Sequence, residues 1–563
     1  MLIDDRIRRY RPPARLDLPD RAWPARRPVR APRWLSTDLR DGNQALAEPM
    51  TPDRKRTLFE LLVRRGYREI EVGFPAASRD ETAFVRTLIE DELIPEDVRI
   101  SVMVPARDEL IASTVAALEG APGATVHVYN ATCPTFRAVV FGMTRDECRS
   151  LAVEGVRSTV KHLEALPGGS GFGLEYSPEL ANETEPEFLL EVCEAVMDVW
   201  QPEAGRELIL NFPATVERSG PNEFADLIEW LDRNLSRREH VCLSVHTHND
   251  RGTGVAASEF AVLAGAQRVE GCLFGGGERA GNVCLVTMGL NLYTHGIDPG
   301  VDFSDLDGMR RVVEACTGER VSPRHPYAGD LVYTAFSGSH QDAIHKGFDA
   351  ARREAHARGI PLAELPWRIP YLPLDPADLG RGYEDLVRIN SQSGKGGVGY
   401  VMSAWYGLRI PRGLRSEFAR SVQALAERAG GELTPDRLRA RFAREYLVPG
   451  ACPPVWTPSV PAALYFDGAV GDLDGADGDA LTARLAAVGI DAYECCAVAA
   501  GAAGTAPDAA GPVHAYAACG LGAGTVWGAG VADDPVDAAR RAVAAAQARR
   551  ARGAAAEAAE VGS

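Results

Sequence analysis

Two histidines stand two residues apart in SVHTHND (244–250), and a strand there would point both imidazoles, His246 and His248, to one face. Two imidazoles converging at a strand end can share one metal ion. The pair alone describes surface histidines equally well, so its weight comes from its neighbours. GGGERAGN (275–282) brings glycine turns, Arg279 and the amide of Asn282 after the next strand, while LRDGNQ (39–44) offers Asp41 as a third hard ligand. One carboxylate, two imidazoles and an amide oxygen, with positions left for water or substrate, describe a catalytic divalent site. Such a set suits Mg²⁺, Mn²⁺ or Zn²⁺ without choosing among them, and non-haem iron, at home in a different fold, ranks below all three.

Residues of this kind need a scaffold that brings distant loops to one rim. Eight short β-branched runs alternate with amphipathic stretches: 33–38, 69–74, 98–103, 124–129, 171–176, 207–211, 241–247 and 268–274. Between the first two, Thr51 can cap a helix, Pro52 suits its first position and Gly66 follows its last turn. Eight strand–helix units without a GxGxxG after the first strand predict an α/β fold, a (β/α)₈ TIM barrel, rather than an open doubly wound sheet. Chemistry in a barrel sits at the C-terminal strand ends. Arg40, His127 on strand 4, Ser177 and Glu179 after strand 5, and Asn211 and Thr215 after strand 6 all fall there. A hydrogen-bonded structural role explains any one of them. As a set, beside a Lewis-acidic metal, they suit binding of a 2-oxo acid and stabilisation of an enolate or alkoxide.

Beyond about residue 325 the strand rhythm stops. Residues 325–452 read as a linker or helical subdomain containing the polar NSQSGKGG (390–397), and 453–550 as a small, Ala/Gly-rich α+β unit of regulatory or oligomerising type. An N-terminal arm (1–30), the barrel (31–324) and a frayed tail (551–563) complete the expected organisation. Sixty-one Lys+Arg against 78 Asp+Glu give a net charge of −17, which argues against nucleic acid and anionic membranes as partners. The first twenty residues carry charges where a secretory leader needs its apolar stretch, so a cytoplasmic location is expected. Eleven scattered cysteines without a CxxC pair read as reduced core thiols.

LRDGNQAL, IEVGFPAAS (70–78), NFPATVE (211–217), HTHNDRGT, GGGERAGN, SGSHQDA (337–343) and NSQSGKGG together resemble the 2-isopropylmalate synthases, almost continuously over residues 30–450. SGSHQDA and PYLPLDP (370–376) point to the long bacterial form. The resemblance implies that Asp41, His246, His248 and, more weakly, Asn282 hold a metal chelating the carboxylate and keto oxygen of 2-oxoisovalerate. Arg40 would neutralise charge growing on that oxygen, and His127, Ser177, Asn211 and Thr215 would line the 2-oxo acid pocket. Glu179, His340 and Tyr371 are then the candidates for deprotonating acetyl-CoA and for the later thioester hydrolysis. His340 and Tyr371 lie outside the barrel, and such linker residues reach a partner's site in the family, which implies a homodimer.

The chain departs from the family pattern in two places. VMVP (102–105) replaces the common V-L-T-Q after strand 3, putting Met103 and Pro105 near the acyl pocket. The first of two βββα regulatory modules is reduced to about 460–468, with GDLDGADGDA (471–480) where a GNGPLDA-like turn is usual, which weakens the case for leucine feedback. The nearest rival reading keeps the mechanism and changes the acceptor, as in a homocitrate- or citramalate-type synthase or a paralogue from specialised metabolism. A metal-dependent lyase on the same barrel and an amino-acid sensor with a retired barrel are the rivals from other classes.

Overall fold

The computed structural model describes residues 16–335, 337–382, 389, 395–406, 408–429, 432–447, 462–467, 476–487, 490, 493–497, 513–519 and 525–561. Its contacts divide the chain into two units: Met1–Val332 with Asp378–Arg381, and Tyr333–Ala377 with Gly382–Ser563. Residues 1–15 of the expected arm, 390–394 of NSQSGKGG, the 452/453 boundary and 471–475 of the altered turn lie outside the described residues.

In the first unit eight parallel strands close into a barrel in chain order. They are β1 (Arg33–Ser36), β2 (Glu69–Gly73), β3 (Arg99–Pro105), β4 (Ala124–Ala131), β5 (Gly173–Glu179), β6 (Leu208–Ala214), β7 (Val241–Thr247) and β8 (Arg268–Gly271), with β8 pairing back to β1. All eight expected strands are present. β8 is shorter than its apolar run because Cys272 leaves the ladder and pairs through its backbone with Cys284, both thiols remaining free.

The helices are α1 (Pro52–Arg65), α2 (Arg79–Glu90), α3 (Asp108–Ala116), α4 (Arg145–Ala165), α5 (Pro186–Trp200), α6 (Pro221–Asn234), α7 (Gly254–Ala264), α8 (Leu285–Tyr293) and α9 (Leu306–Thr317). Thr51 caps α1 through its side chain, Pro52 opens the helix, and Gly66 closes it at φ 98°, a conformation that glycine adopts without strain. Before β1, Trp23 is buried, donates its indole N–H to Asp226 of α6 at 2.8 Å and packs on Phe260 of α7.

Strand alternation decides what the barrel encloses. Ile70, Val72, Ile100, Val102, Val126, Val128, Leu174, Leu210, Leu243, Val245 and Val269 are wholly buried on one phase, which packs outward beneath the helices. The other phase carries Glu71, Ser101, Thr125, His127, Glu175, Ser177, Asn211, Ser244, His246, Arg268 and Glu270, also buried. The barrel interior is therefore polar and charged where an aliphatic filling is usual.

The second unit contains α10 (Gly338–Arg358), α11 (Lys395–Tyr406), α12 (Arg412–Ala429) and α13 (Pro435–Tyr446). A four-stranded sheet follows, built from β9 (Ala462–Asp467), β10 (Tyr493–Ala497), β11 (Val513–Cys519) and β12 (Val526–Ala532), with α14 (Ala476–Ala487) and α15 (Pro535–Val561). Its order is β10-β9-β11-β12, with β9 and β10 parallel and the other pairs antiparallel. Gly528 and Gly530 let α15 lie directly on β12, since a Cβ at either would fall within 2.2 Å of a helix carbonyl. Where a tail was expected from 551, α15 continues to Val561, because GAAAEAAEV is rich in the strongest helix formers. No helix among the described residues is long and apolar enough to cross a membrane.

Candidate functional site

The C-terminal ends of the strands surround a cavity of about 240 Å³. Asp41 enters it from a helical turn, Asp41–Gln44, in the loop after β1; His246 arrives on the inward phase of β7 and His248 follows one residue past the strand's end. His246 Nε2 lies 3.3 Å and His248 Nε2 3.7 Å from Asp41 Oδ2. The donor atoms of the three residues all lie within 4.8 Å of one another, and all three residues are buried. Asp41 Oδ2, the Asn282 amide oxygen Oδ1 and His248 Nδ1 are buried with no hydrogen-bond partner. Orphaned oxygens beside two imidazoles fit a divalent cation better than any arrangement without one. Asn282 does not line the cavity, but it is bridged to His248 through the backbone.

Ionic surroundings tune these donors. Burial opposes charge on Asp41, yet Arg40 and the two imidazoles outweigh it and hold the carboxyl far below the usual range. His246 is likewise buried, but Asp41 and Glu270 outweigh the burial and push it up to about 9. His248 falls to about 4 because burial and the neighbouring His246 act together. The Glu270 carboxylate lies 3.1 Å from His246 Nδ1, which aims Nε2 into the site. Arg268, 1% exposed, pairs with Glu270 at 2.7 Å, Glu69 at 2.8 Å and Glu175 at 3.1 Å.

Arg40 donates from Nε to Glu71 at 2.5 Å and lies 3.3 Å from Asp41 through Nη1. Glu71 also binds His127 Nδ1 at 2.7 Å, and His127 Nε2 lies 2.7 Å from Ser177 Oγ. Burial works against charge on His127, but Glu175 and Glu71 outweigh it and raise its pKa. A charged His127 donates from both nitrogens. Asn211 Nδ2 donates to the same Ser177 oxygen at 3.0 Å; with His127 charged, the hydroxyl accepts twice and its own hydrogen is left for the cavity. Asn211 Oδ1 is unpartnered beside it. Thr215 lines the cavity and accepts from the N–H of Leu180, which stands at φ 60° directly after Glu179. Burial raises the pKa of Glu179, and Arg40 opposes that in part.

Phe74, Met103, Tyr129 and Pro213 supply the apolar wall. Pro105, expected beside Met103, is not among the lining residues: it ends β3 two residues further out. His340 and Tyr371 belong to the second unit and do not line this cavity. Their rings stack at 4.0 Å, with Tyr371 exposed and at φ 65°. Glu71, Arg268 and Glu270 were not among the expected site residues, though their signal is the acid or base at every second position of EIEV (69–72) and RVEG (268–271); nor was Glu175, a lone acid in GLEY (173–176).

A family model described as HMGL-like matches residues 31–313, and a second, described as alpha-isopropylmalate synthase post-catalytic domain-like, matches 330–403. A 2-isopropylmalate synthase from Streptosporangium roseum is 66% identical over 454 residues, covering 80% of this chain and 78% of that protein. One from Thermobifida fusca is 62% identical, covering 78% of each, and one from a Parafrankia strain is 56% identical, covering 79% and 78%. This chain belongs to the 2-isopropylmalate synthase family. It is therefore an enzyme, an acyltransferase of the condensing type.

Proposed function

We propose that this chain condenses acetyl-CoA with 2-oxoisovalerate and water to give 2-isopropylmalate and CoA, the first committed step of leucine biosynthesis. The observation that carries the reading is the convergence of Asp41, His246 and His248 on a cavity that also holds Arg40 and a buried Glu179. Asn282 completes the donor set through its orphaned oxygen. A divalent cation held by these residues, Mg²⁺, Mn²⁺ or Zn²⁺, would supply Lewis acidity toward the 2-oxo acid.

Arg40, pinned by Glu71, presents fixed positive charge where negative charge grows on the keto oxygen. Ser177 donates and Asn211 accepts at the pocket floor, so the pair orients the 2-oxo acid. His127 keeps Ser177 in that role. Phe74, Met103, Tyr129 and Pro213 enclose the branched alkyl group. Of the three candidate bases, Glu179 alone lines the cavity, and its burial makes it a stronger proton acceptor than an exposed carboxylate. It takes a methyl proton from acetyl-CoA, and water later cleaves the thioester. His340 and Tyr371, a stacked pair on the second unit, act in the site of a second copy, so the working form is a homodimer.

CoA release, followed with a thiol reagent across a panel of 2-oxo acids, tests the reading. Release is expected to be fastest with 2-oxoisovalerate. A higher kcat/KM with 2-oxoglutarate or pyruvate would make the enzyme a homocitrate- or citramalate-type synthase, and carbon–carbon cleavage of a 3-hydroxyacyl-CoA to acetyl-CoA and a carbonyl product, with no CoA freed, would make it a lyase.

A further inference from the structure

Asn282 is an amide, and an amide can present either its oxygen or its NH₂ group to a cation. Only the oxygen can ligate, so something must set the orientation. The Asn282 Nδ2 group donates to Thr37 Oγ1 at 3.3 Å and to Cys272 Sγ at 3.2 Å. Thr37 spends its own hydroxyl hydrogen on the Gly271 carbonyl at 3.1 Å, so its oxygen faces Asn282 as an acceptor. A flipped amide would set its oxygen against that acceptor, with no water to intervene, since Thr37 and Cys272 are at most 1% exposed.

The same two residues hold the opposite side of the site. The Thr37 carbonyl accepts from the N–H groups of Arg40 and Gly42, both at 3.1 Å, and so closes the turn that carries Asp41. Cys272 Sγ lies so close to that turn that a Cβ on Gly42 would be 3.3 Å from it.

We propose that Thr37 and Cys272 are positioning residues of the metal site: they lock the Asn282 amide with Oδ1 toward the cation and set the Asp41 turn against it. The proposal rests on the reading that Asp41, His246, His248 and Asn282 hold the metal.

The test is calorimetric titration of Mn²⁺ into the metal-stripped, full-length protein, with circular dichroism to confirm folding. Thr37→Val keeps the shape and removes the acceptor; it is expected to weaken Mn²⁺ binding by about 10- to 100-fold, the usual effect of losing an outer-sphere partner. Thr37→Ser and Cys272→Ser restore an acceptor and are expected to bind like the parent, while Cys272→Ala is expected to bind more weakly than Cys272→Ser. Should Thr37→Val not fold, the Cys272 pair decides. Parent-like affinity in Thr37→Val, or equal affinities in Cys272→Ala and Cys272→Ser, would overturn the proposal. Asn282→Ala separates it from the reading beneath: parent-like binding there removes Asn282 from the ligand set, whereas weakened binding there with unchanged Thr37→Val overturns the positioning role alone.

Discussion

Replacing Glu270 with Gln tests whether the charged barrel interior supports the metal site or merely fills space. The Glu270 carboxylate meets His246 Nδ1 at 3.1 Å, Arg268 Nη1 at 2.7 Å and Ser244 Oγ at 3.2 Å. Arg268 and His246 hold it ionised despite complete burial. Glutamine keeps the size and one acceptor but loses the charge that polarises His246. Outer-sphere losses of this kind cost about 10- to 100-fold in metal affinity, which is about 1.4–2.7 kcal/mol.

Stripping one partner from a buried ion pair costs about 3–5 kcal/mol when the other charge is left alone. Arg268 is not left alone, because Glu69 and Glu175 remain within 3.1 Å. Glu175 is pushed up to about 8 by burial and by the like charge of Glu270, against the pull of Arg268. Without Glu270 it ionises more readily and takes over part of the compensation. The expected result is a folded protein, destabilised by less than that range, with Mn²⁺ affinity down by one to two orders of magnitude in calorimetry at pH 8. Parent-like Mn²⁺ affinity in folded Glu270→Gln would refute the reasoning, and so would a protein that no longer folds with metal present.

Glu179→Gln is expected to lower kcat by about 10²- to 10⁴-fold, read by exchange of the acetyl-CoA methyl protons, with little change in 2-oxo acid affinity. Because the base acts unprotonated and burial raises its pKa, kcat/KM should rise with pH through a limb above the ordinary carboxylate range. Arg40→Gln removes the opposing charge and should move the limb of its residual rate still higher. Met103→Ala should shift the acceptor preference toward longer 2-oxo acids, by about 1–3 kcal/mol in relative kcat/KM per added methylene, measured over the acceptor panel. Trp23→Ala removes a buried indole and leaves Asp226 short of a donor, so barrel stability should fall by about 3–5 kcal/mol in thermal and urea unfolding.

Residue types and spacing alone determined the eight strands of a barrel, the capped helix from Pro52 to Arg65 and the gathering of Asp41, His246 and His248 as donors that could hold a metal. Those features are local: alternation with period two, a cap beside a proline, and two imidazoles on one strand face survive in any tertiary setting. Glu71, Glu175, Arg268 and Glu270 were not legible. A strand with acids on one phase and aliphatics on the other ordinarily turns its acids to solvent. Here closure of the barrel turns that phase inward, where Arg40, Arg268 and two histidines neutralise it. Only the closed structure could decide this: apart from the Arg268–Glu270 pair within β8, the partners of these charges lie on other elements, dozens to hundreds of residues away. Likewise the sequence placed Asn282 near the site, but the partner that holds its amide nitrogen, Thr37, is 245 residues away and meets it only where β1 and β8 close the ring.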